Sequence, residues 1–166
     1  TADAGIVTID NQPSPPPRFL DDFGMLFQGA ALFDSLKVWE NVAFRQLQQG
    51  ASHSKARPLA IAKLDRVGLP KETADQYPAE LSGGMQKRAG LARAIAGDPK
   101  IVFFDEPTTG LDPIRAGTIN RLIREIVDEL GATTLTITHD MTSVHAIADK
   151  VALLKDGRVA WQGTPE

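Results

Sequence analysis

Two adjacent carboxylates follow a short apolar run near the middle of the sequence. Ile101–Phe104 is apolar throughout, and Asp105 and Glu106 come directly after it. A carboxylate at the end of a buried strand can hold Mg²⁺ directly or through water. Side chains leave a strand in alternating directions, so Glu106 points elsewhere than Asp105 and suits a different role. Glu106 could orient or deprotonate an attacking water. An Asp-Glu pair before Pro107 can also cap a turn, but its position after an apolar strand favours the metal and general-base roles.

A Ser-Gly-Gly turn opens the predicted helix that precedes this strand. The first backbone N–H groups of a helix have no partner within it, and together with the helix dipole they form an anion site. Gly83 and Gly84, next to Ser82, would let a phosphate approach the backbone closely. For this turn taken alone, an ordinary serine N-cap followed by flexible glycines is the alternative.

Two further polar residues follow strand-like segments. Gln28 comes after Phe23–Phe27, and His139 comes after Thr133–Thr138. At the end of a strand, His139 could contact a terminal phosphate and stabilise its charge in a transition state. Taken alone, Gln28 also fits a solvated loop residue, and His139 a residue that is only hydrogen-bonded within a turn.

The elements that must position these residues alternate between strand and helix. The patterns predict strands over Gly5–Asp10, Phe23–Phe27, Ile101–Phe104, Thr133–Thr138, Val151–Leu154 and Val159–Trp161, and helices over Ser82–Ala96, from Asp112 to Gly131 and over Ser143–Asp149. This alternation is typical of a parallel α/β sheet, in which function gathers at the carboxyl ends of the strands. Gln28, Asp105, Glu106 and His139 all fall at such ends.

The remaining segments are predicted to be loop or helix. Asn11–Arg18 contains four prolines and is expected to be a surface loop. Short helices are predicted over Val38–Phe44, Arg57–Val67 and Lys71–Tyr77, with a polar loop over Gln46–Lys55. The middle of the chain therefore resembles a small helical insertion between two sheet-forming portions.

The helix that begins at Ser82 has two kinds of side chain. Leu91, Ala94 and Ile95 form an apolar face of the kind that packs into a core. The charge of this helix is carried by three basic residues, Lys87, Arg88 and Arg93.

The composition excludes several classes of site. With 42% hydrophobic and 23% charged residues among 166, the chain fits one globular domain with a real core. The absence of cysteine excludes disulfides, thiolate zinc sites and cysteine nucleophiles. The net charge of −3 supplies no basic field for nucleic acid. No apolar run approaches the ~20 residues that span a bilayer, so any membrane association is expected to go through a partner.

A set of ordered motifs resembles the ABC ATPase family over nearly the whole chain. LFQ at 26–28 resembles the Q-loop of that family, and LSGGMQKR at 81–88 resembles its signature. IVFFDEP at 101–107 resembles Walker B, GLDP at 110–113 the D-loop and THD at 138–140 the H-loop. The fold that this resemblance implies is α/β, with a P-loop NTPase-like parallel sheet core and a helical subdomain over about 36–80.

The same resemblance implies ATP and Mg²⁺ as cofactors and assigns a role to each motif residue. Catalysis would fall to Glu106, His139 and Gln28, and the metal to Gln28 and Asp105. The ATP held by the opposite subunit of a homodimer would be bound by the signature residues Ser82, Gly83, Gly84 and Gln86. Asp112 would act across the dimer interface, and His139 would clamp the γ-phosphate.

Longer stretches resemble one subfamily. GMLFQGAALFDSLKVWENVAF, from 24 to 44, and the signature-to-D-loop segment are similar to the ATP-binding subunits of Mla-type phospholipid transporters, also called toluene-tolerance or organic-solvent-resistance transporters. This resemblance implies transmembrane permease subunits and a lipid-binding protein as partners. It also implies a location on the cytoplasmic face of the bacterial inner membrane, reached through the permease.

One family motif is missing from the sequence. A Walker A motif needs Gly-Lys followed by Ser or Thr, and the chain contains no Gly-Lys dipeptide. We therefore expect an N-terminally truncated domain whose sheet lacks the P-loop strand and exposes apolar surface. Since the phosphate-cradling loop and its lysine are absent, these 166 residues alone are expected to bind ATP weakly.

Two other classes compete with a transport ATPase. Non-transport ABC ATPases act on DNA or the ribosome, but the stretch between Gln28 and Ser82 is too short for the long coiled coils of the DNA-acting members. Ribosome-acting members commonly read NHLD where this chain has TGLD. A purely regulatory module would not need both Glu106 and His139. The sequence thus favours ATP hydrolysis coupled to transport.

Overall fold

The computed structural model describes residues 8–9, 12–13 and 22–165. The strands are β1 (Thr8–Ile9), β2 (Gln12–Pro13), β3 (Phe23–Leu26), β4 (Ile101–Asp105), β5 (Thr133–Ile137), β6 (Val151–Lys155) and β7 (Arg158–Gly163). The helices are α1 (Val38–Val42), α2 (Phe44–Gln48), α3 (His53–Arg66), α4 (Gly83–Ala94), α5 (Pro113–Leu130) and α6 (Met141–Ile147), with 3-10 turns at Lys71–Asp75 and Pro78–Glu80.

Three parallel strands form the central sheet in the order β3-β4-β5. In this register Met25 lies opposite Phe103, and Phe103 lies opposite Leu135. Each of the three strands is followed by a turn and then by helix, as the alternation in the sequence predicts. The α/β fold with a parallel sheet core is thereby confirmed.

The two faces of this sheet differ in burial. Val102 and Phe104 of β4 are buried, whereas Phe103 is half-buried and stacks on Phe23 with ring centroids 4.5 Å apart. On the neighbouring strand β5, Leu135 and Ile137 are exposed. The apolar run of β4 predicted burial on both faces; within the described residues only one face is covered fully. Exposed apolar surface on the sheet, which the sequence predicted, is present.

Helix α4 packs directly on β3 and carries much of the core. A Cβ atom on Gly24 would lie 2.1 Å from the Ala94 carbonyl oxygen, so only glycine allows the strand and helix to approach this closely. On the opposite side of the contact, a Cβ atom on Gly90 would lie 2.9 Å from Leu26 Cδ1. This tight contact fixes α4 relative to the carboxyl end of β3.

The middle of the chain is more helical than the sequence predicts. The polar loop expected over Gln46–Lys55 is wrong, because α2 runs to Gln48 and α3 begins at His53. Two polar residues of α2 bond to backbone carbonyls far away in the chain: Arg45 Nη2 donates to the Phe23 carbonyl at 2.6 Å, and Gln46 Nε2 donates to the Ala96 carbonyl at 3.1 Å. A separate helical subdomain over about 36–80 stays a prediction.

The proline-rich segment near the start also departs from its prediction. A surface loop was expected over Asn11–Arg18, but Gln12–Pro13 pairs antiparallel with Thr8–Ile9. Proline is tolerated on an edge strand because it needs no ladder donor there. The rest of this segment, and the other residues of the strand predicted over Gly5–Asp10, lie outside the described residues.

The elements after β4 follow their sequence signals. Asp112 is the N-cap of α5 and Pro113 its first residue, and Gly131 ends the helix at φ 60°. Asp156 and Gly157 both have positive φ in the β6–β7 hairpin, as a type I′ turn requires. Among the residues that the structure describes, no helix is both long and apolar enough to span a membrane.

Candidate functional site

The carboxyl ends of β3, β4 and β5 bring the predicted catalytic residues to one edge of the sheet. Asp105 is the last residue of β4 and Glu106 follows it. Gln28 follows β3 and is exposed, and His139 follows β5. The Glu106 N–H donates to the Ile137 carbonyl at 2.9 Å, which ties the ends of β4 and β5 together. The edge predicted from the sequence is therefore present.

Glu106 is held by three side chains in an unusual backbone conformation. Its φ of 47° lies in the left-handed region, which costs a non-glycine residue roughly 1–3 kcal/mol. His139 Nδ1 lies 2.6 Å from Oε1, and Thr109 Oγ1 donates to Oε2 at 2.8 Å. Thr138 Oγ1 donates a longer bond of 3.4 Å to Oε2. The carboxylate is thus aimed before any ligand binds.

The Glu106 and His139 side chains share a charge-assisted contact. Burial alone raises the pKa of Glu106, but hydrogen bonds from His139 and Thr109 outweigh it and hold this pKa below its usual value. The same bond raises the pKa of His139. Since a carboxylate only accepts, Nδ1 carries the hydrogen of this bond. The Glu106 side chain is 16% exposed and that of His139 is 81% exposed, so the imidazole is the solvent-facing partner.

A chain of hydrogen bonds fixes the turn that carries His139. Thr138 Oγ1 accepts from the Asp140 N–H at 3.1 Å, and Asp140 caps α6 by accepting from the Thr142 and Ser143 N–H groups. Ser143 Oγ donates to the Asp140 carboxylate at 2.7 Å, and this is the main reason why the pKa of Asp140 is lowered. Buried Ser143 also contacts Thr108 Oγ1 at 3.0 Å, so the turns after β4 and β5 are joined.

Two basic residues of α4 hold the backbone of the turns after β3 and β4. Lys87 is only 6% exposed, and its Nζ donates to the Gln28 carbonyl and, at 3.2 Å, to the Glu106 carbonyl. Arg93 donates to the Ala30 carbonyl at 2.6 Å and to that of Ala31. The sequence assigned these residues only the charge of the helix. That interpretation is wrong for Lys87, which is buried at the strand ends.

The Ser-Gly-Gly turn is the N-terminus of α4. Ser82 is its N-cap and accepts from the Met85 N–H at 3.4 Å. Ideal Cβ atoms on Gly83 and Gly84 would meet nothing within 4 Å, so the backbone here faces open space. Gln86 Nε2 donates to the Pro78 carbonyl at 2.9 Å, which anchors the turn before the helix. The anion site predicted for this turn has the open backbone that it needs.

Asp112 acts locally as a helix cap. Its carboxylate accepts from the Ile114 and Arg115 N–H groups at 3.1 and 3.0 Å and forms an ion pair with the Arg115 side chain. Within the described part of the chain, no hydrogen bond or ion pair joins Asp112 or the Ser82 turn to Glu106 or His139. The predicted residues therefore form two separate groups, the strand-end cluster (Gln28, Asp105, Glu106, His139) and the α4 N-terminus.

Sequence reasoning missed Thr109 and the role of Lys87. Thr109 follows Glu106 by three positions in a turn, and Thr side chains commonly bond locally at this spacing. The sequence could therefore have predicted this contact. Lys87 also had one: with Leu91 and Ala94 it occupies positions i, i+4 and i+7, which places it on the core face of the helix.

The oxygen donors at the strand ends suit Mg²⁺. Asp105 offers a half-buried carboxylate, and Gln28 offers an exposed amide in the turn after the adjacent strand β3. Mg²⁺ is commonly held by one or two protein oxygens together with substrate phosphates and water. Asp105 and Gln28 are the residues that would hold the ion.

Comparison with known families agrees with this geometry. The family model described as "ABC transporter" matches residues 1–109. Among curated proteins, the chain is 43% identical over 146 residues to the arginine transport ATP-binding protein ArgV of Corynebacterium glutamicum, covering 87% of this chain and 57% of that protein. It is also 43% identical over 144 residues to the intermembrane phospholipid transport system ATP-binding protein MlaF of Haemophilus influenzae, covering 86% and 54%.

A third relative shows similar identity. The methionine import ATP-binding protein MetN of Haemophilus influenzae is 45% identical over 141 residues, which cover 85% of this chain and 41% of that protein. The chain spans about half the length of the curated relatives it matches. Because MlaF, ArgV and MetN match about equally well, the resemblance to the Mla-type subfamily is not specifically favoured.

Solved structures match nearly the whole chain. The ATP-binding cassette MJ0796, in a dimeric post-hydrolysis state bound to ADP and Pi, superposes with a TM-score of 0.85 at 29% identity, covering 99% of this chain and 75% of that one. CbiO1 from Clostridium perfringens superposes with a TM-score of 0.85 at 30% identity, covering 98% and 67%. Because the family model matches more than half of its residues, this chain belongs to the ABC transporter family.

Proposed function

We propose that the protein to which these residues belong hydrolyses ATP and uses the energy for membrane transport. The observation that carries the proposal is the Glu106 carboxylate, fixed by His139 and Thr109 next to Asp105 at the end of β4. The membership of the chain in the ABC transporter family supports the same role.

The chemistry follows from the charge state of the cluster. Bound with ATP, Mg²⁺ would neutralise charge on the phosphate oxygens. The lowered pKa of Glu106 keeps its carboxylate ionised at neutral pH, so it can accept a hydrogen bond from the attacking water. The raised pKa of His139 favours the imidazolium, which donates from Nδ1 to Glu106 and leaves Nε2–H to donate to the γ-phosphate.

The N-terminus of α4 completes the site of a second subunit in this proposal. Its Ser82 turn is separate from the strand-end cluster of the same chain, and its backbone is open at Gly83 and Gly84. Gln86 and Asp112 shape the two turns that would face the partner. The dimeric structures of MJ0796 support a pair of such subunits working together.

The partners and location follow from the same proposal. Two ATP-binding subunits would join transmembrane permease subunits and lie peripherally on the cytoplasmic face of the bacterial inner membrane. A lipid or other hydrophobic cargo, handled together with a lipid-binding partner protein, is supported by the relative MlaF. Amino-acid cargo is the second candidate, supported by ArgV and MetN at similar identity.

The test is Glu106→Gln in the intact protein. The substitution keeps the size of the side chain but removes the negative charge that activates water, and only one of its two terminal atoms can still accept a hydrogen bond. ATP hydrolysis is expected to fall about 10²–10⁴-fold while ATP affinity is retained. Phosphate release measures the rate, and a fluorescent ATP analogue measures the affinity.

Glu125→Gln on the exposed side of α5 is the matched control. It makes the same chemical change away from the strand ends and should leave both quantities unchanged. A Glu106→Gln protein that hydrolyses ATP at the normal rate would overturn the role of Glu106.

A further inference from the structure

Lys87 is a charged residue buried in an otherwise apolar helix face. It shares this face with Leu91 and Ala94, and the side chain is only 6% exposed. A buried ammonium group loses hydration and is retained only where it finds strong acceptors. Burial accordingly lowers the pKa of Lys87, while the nearby Glu106 and Asp105 carboxylates oppose the shift. The position of this charge therefore calls for a role beyond packing.

The acceptors of Lys87 are two backbone carbonyls in the turns that follow different strands. One belongs to Gln28 at the end of β3, and the other, at 3.2 Å, belongs to Glu106 after β4. Both lie next to strained backbone: Glu106 itself has φ 47°, and Ala30 and Ala31, in the turn that Gln28 begins, have φ 63° and 47°. Left-handed residues of this kind persist only where their surroundings hold them.

We propose that Lys87 is a positioning residue that fixes Gln28 and Glu106 relative to each other and to α4. A single ammonium group with three donors can bridge two carbonyls, and no other described side chain bonds to both. Ser82 is the N-cap of the same helix. Lys87 therefore joins the backbone of both strand-end turns to the helix that follows the Ser-Gly-Gly turn. The inference rests on the proposed ATP hydrolysis for its kinetic readout only.

Arg93 supports this assignment from nearly two turns further along α4. Arg93 donates to the Ala30 and Ala31 carbonyls, so two residues of α4, Lys87 and Arg93, bond to the turn after β3. Among the described residues Arg93 has no hydrogen bond or ion pair with Glu106, whereas Lys87 also bonds to the Glu106 carbonyl after β4. Loss of Lys87 should therefore disturb both turns, whereas the contact of β3 with α4 through Gly24 and Gly90 remains.

The experiment compares Lys87→Met and Lys87→Arg in the intact protein. Methionine keeps the apolar stem without the donors, and arginine restores a cationic donor. Misplacement of the catalytic groups by Lys87→Met is expected to lower kcat for ATP about 10–100-fold and to change KM less than about threefold. Lys87→Arg should recover most of kcat. Hydrogen–deuterium exchange should accelerate at 27–31 and 104–110 in Lys87→Met and stay slow elsewhere.

Lys55→Met is the matched control, because it makes the same substitution at an exposed position of α3, away from the strand ends. It should leave kcat, KM and exchange at both turns unchanged. Wild-type kcat in Lys87→Met, or exchange that accelerates uniformly with a lowered Tm, would overturn the proposal. If Lys87→Met fails to fold, Lys87→Gln, which retains one donor group, is measured in the same way. If the wild-type protein hydrolyses no ATP, the proposed function fails, while the exchange measurement still decides the role of Lys87.

Discussion

Glu106 and His139 illustrate how an exposed and a half-buried residue become one chemical unit. The 2.6 Å contact between His139 Nδ1 and Glu106 Oε1 moves the two pKa values apart, down for the carboxyl and up for the imidazole. At pH values between the two pKa values both groups are charged. In the proposed function the pair would supply an acceptor for water and a donor for phosphate at adjacent positions.

This pairing predicts the titration of His139. Replacing Glu106 with Gln removes the negative charge and the charge-assisted bond that favour the imidazolium, so the pKa of His139 should fall toward its ordinary value of about 6.5. NMR of the ¹³C-labelled imidazole across pH 5–9 measures it. Thr109→Val removes a hydrogen bond to the same carboxylate but leaves its charge, so the His139 pKa should stay raised. An identical His139 pKa in wild type and Glu106→Gln would contradict the contact.

At the residue level the sequence located the acidic and histidine residues well and the lysine badly. Asp105, Glu106 and His139 follow strands whose patterns are plain, and parallel strands end at one sheet edge. Lys87 was expected only to carry charge, as its residue type suggests. Its spacing from Leu91 and Ala94 nevertheless places it on the core face of α4. Its partners are backbone carbonyls, which carry no side-chain signal, so the contact itself could not be read from the sequence.

At the level of elements, the contact between β3 and α4 determines where the turn after β3 lies. Gly24 faces the Ala94 carbonyl, and Gly90 faces Leu26, so small residues on both elements allow the approach. Because the turn after β3 starts from this contact, it holds Gln28 within reach of Lys87. Close packing here is a condition for the arrangement of the site.

This contact predicts a large effect for Gly24→Ala. The added Cβ would lie 2.1 Å from the Ala94 carbonyl oxygen, so the strand or helix must shift, at a cost of about 1–3 kcal/mol in the free energy of unfolding or more. Gly117→Ala in α5 is the control: its Cβ would meet nothing within 4 Å, and alanine should stabilise the helix by up to about 1 kcal/mol. Urea unfolding measures both. Equal midpoints for the two variants would contradict the packing.

The sequence predicted helices with strong caps and missed the one held by distant contacts. Asp112 and Gly131 marked both ends of α5, and these ends are confirmed. α2 was predicted as loop because its sequence is polar, yet Arg45 and Gln46 bond to carbonyls of Phe23 and Ala96, far away in the chain. Local propensity could not show those acceptors.

At the scale of the whole molecule, the proposed site is divided between two subunits. The strand-end cluster and the α4 N-terminus of one chain have no hydrogen bond or ion pair between them within the described residues. In a symmetric dimer each site would combine Glu106 of one subunit with the Ser82 turn of the other. Substitutions in the two groups should therefore complement each other in a mixed dimer.

Mixing two inactive variants of the intact protein tests this account most directly. Gly84→Asp has room for its side chain, but its negative charge should repel phosphate from the α4 N-terminus; Glu106→Gln removes the charge that activates water. Each variant alone should lose ATP hydrolysis. After subunit exchange at equal amounts, half of the dimers are mixed and each has one intact site, so about a quarter of wild-type phosphate release should return. A mixture that exchanges subunits and yet stays inactive would contradict the shared site.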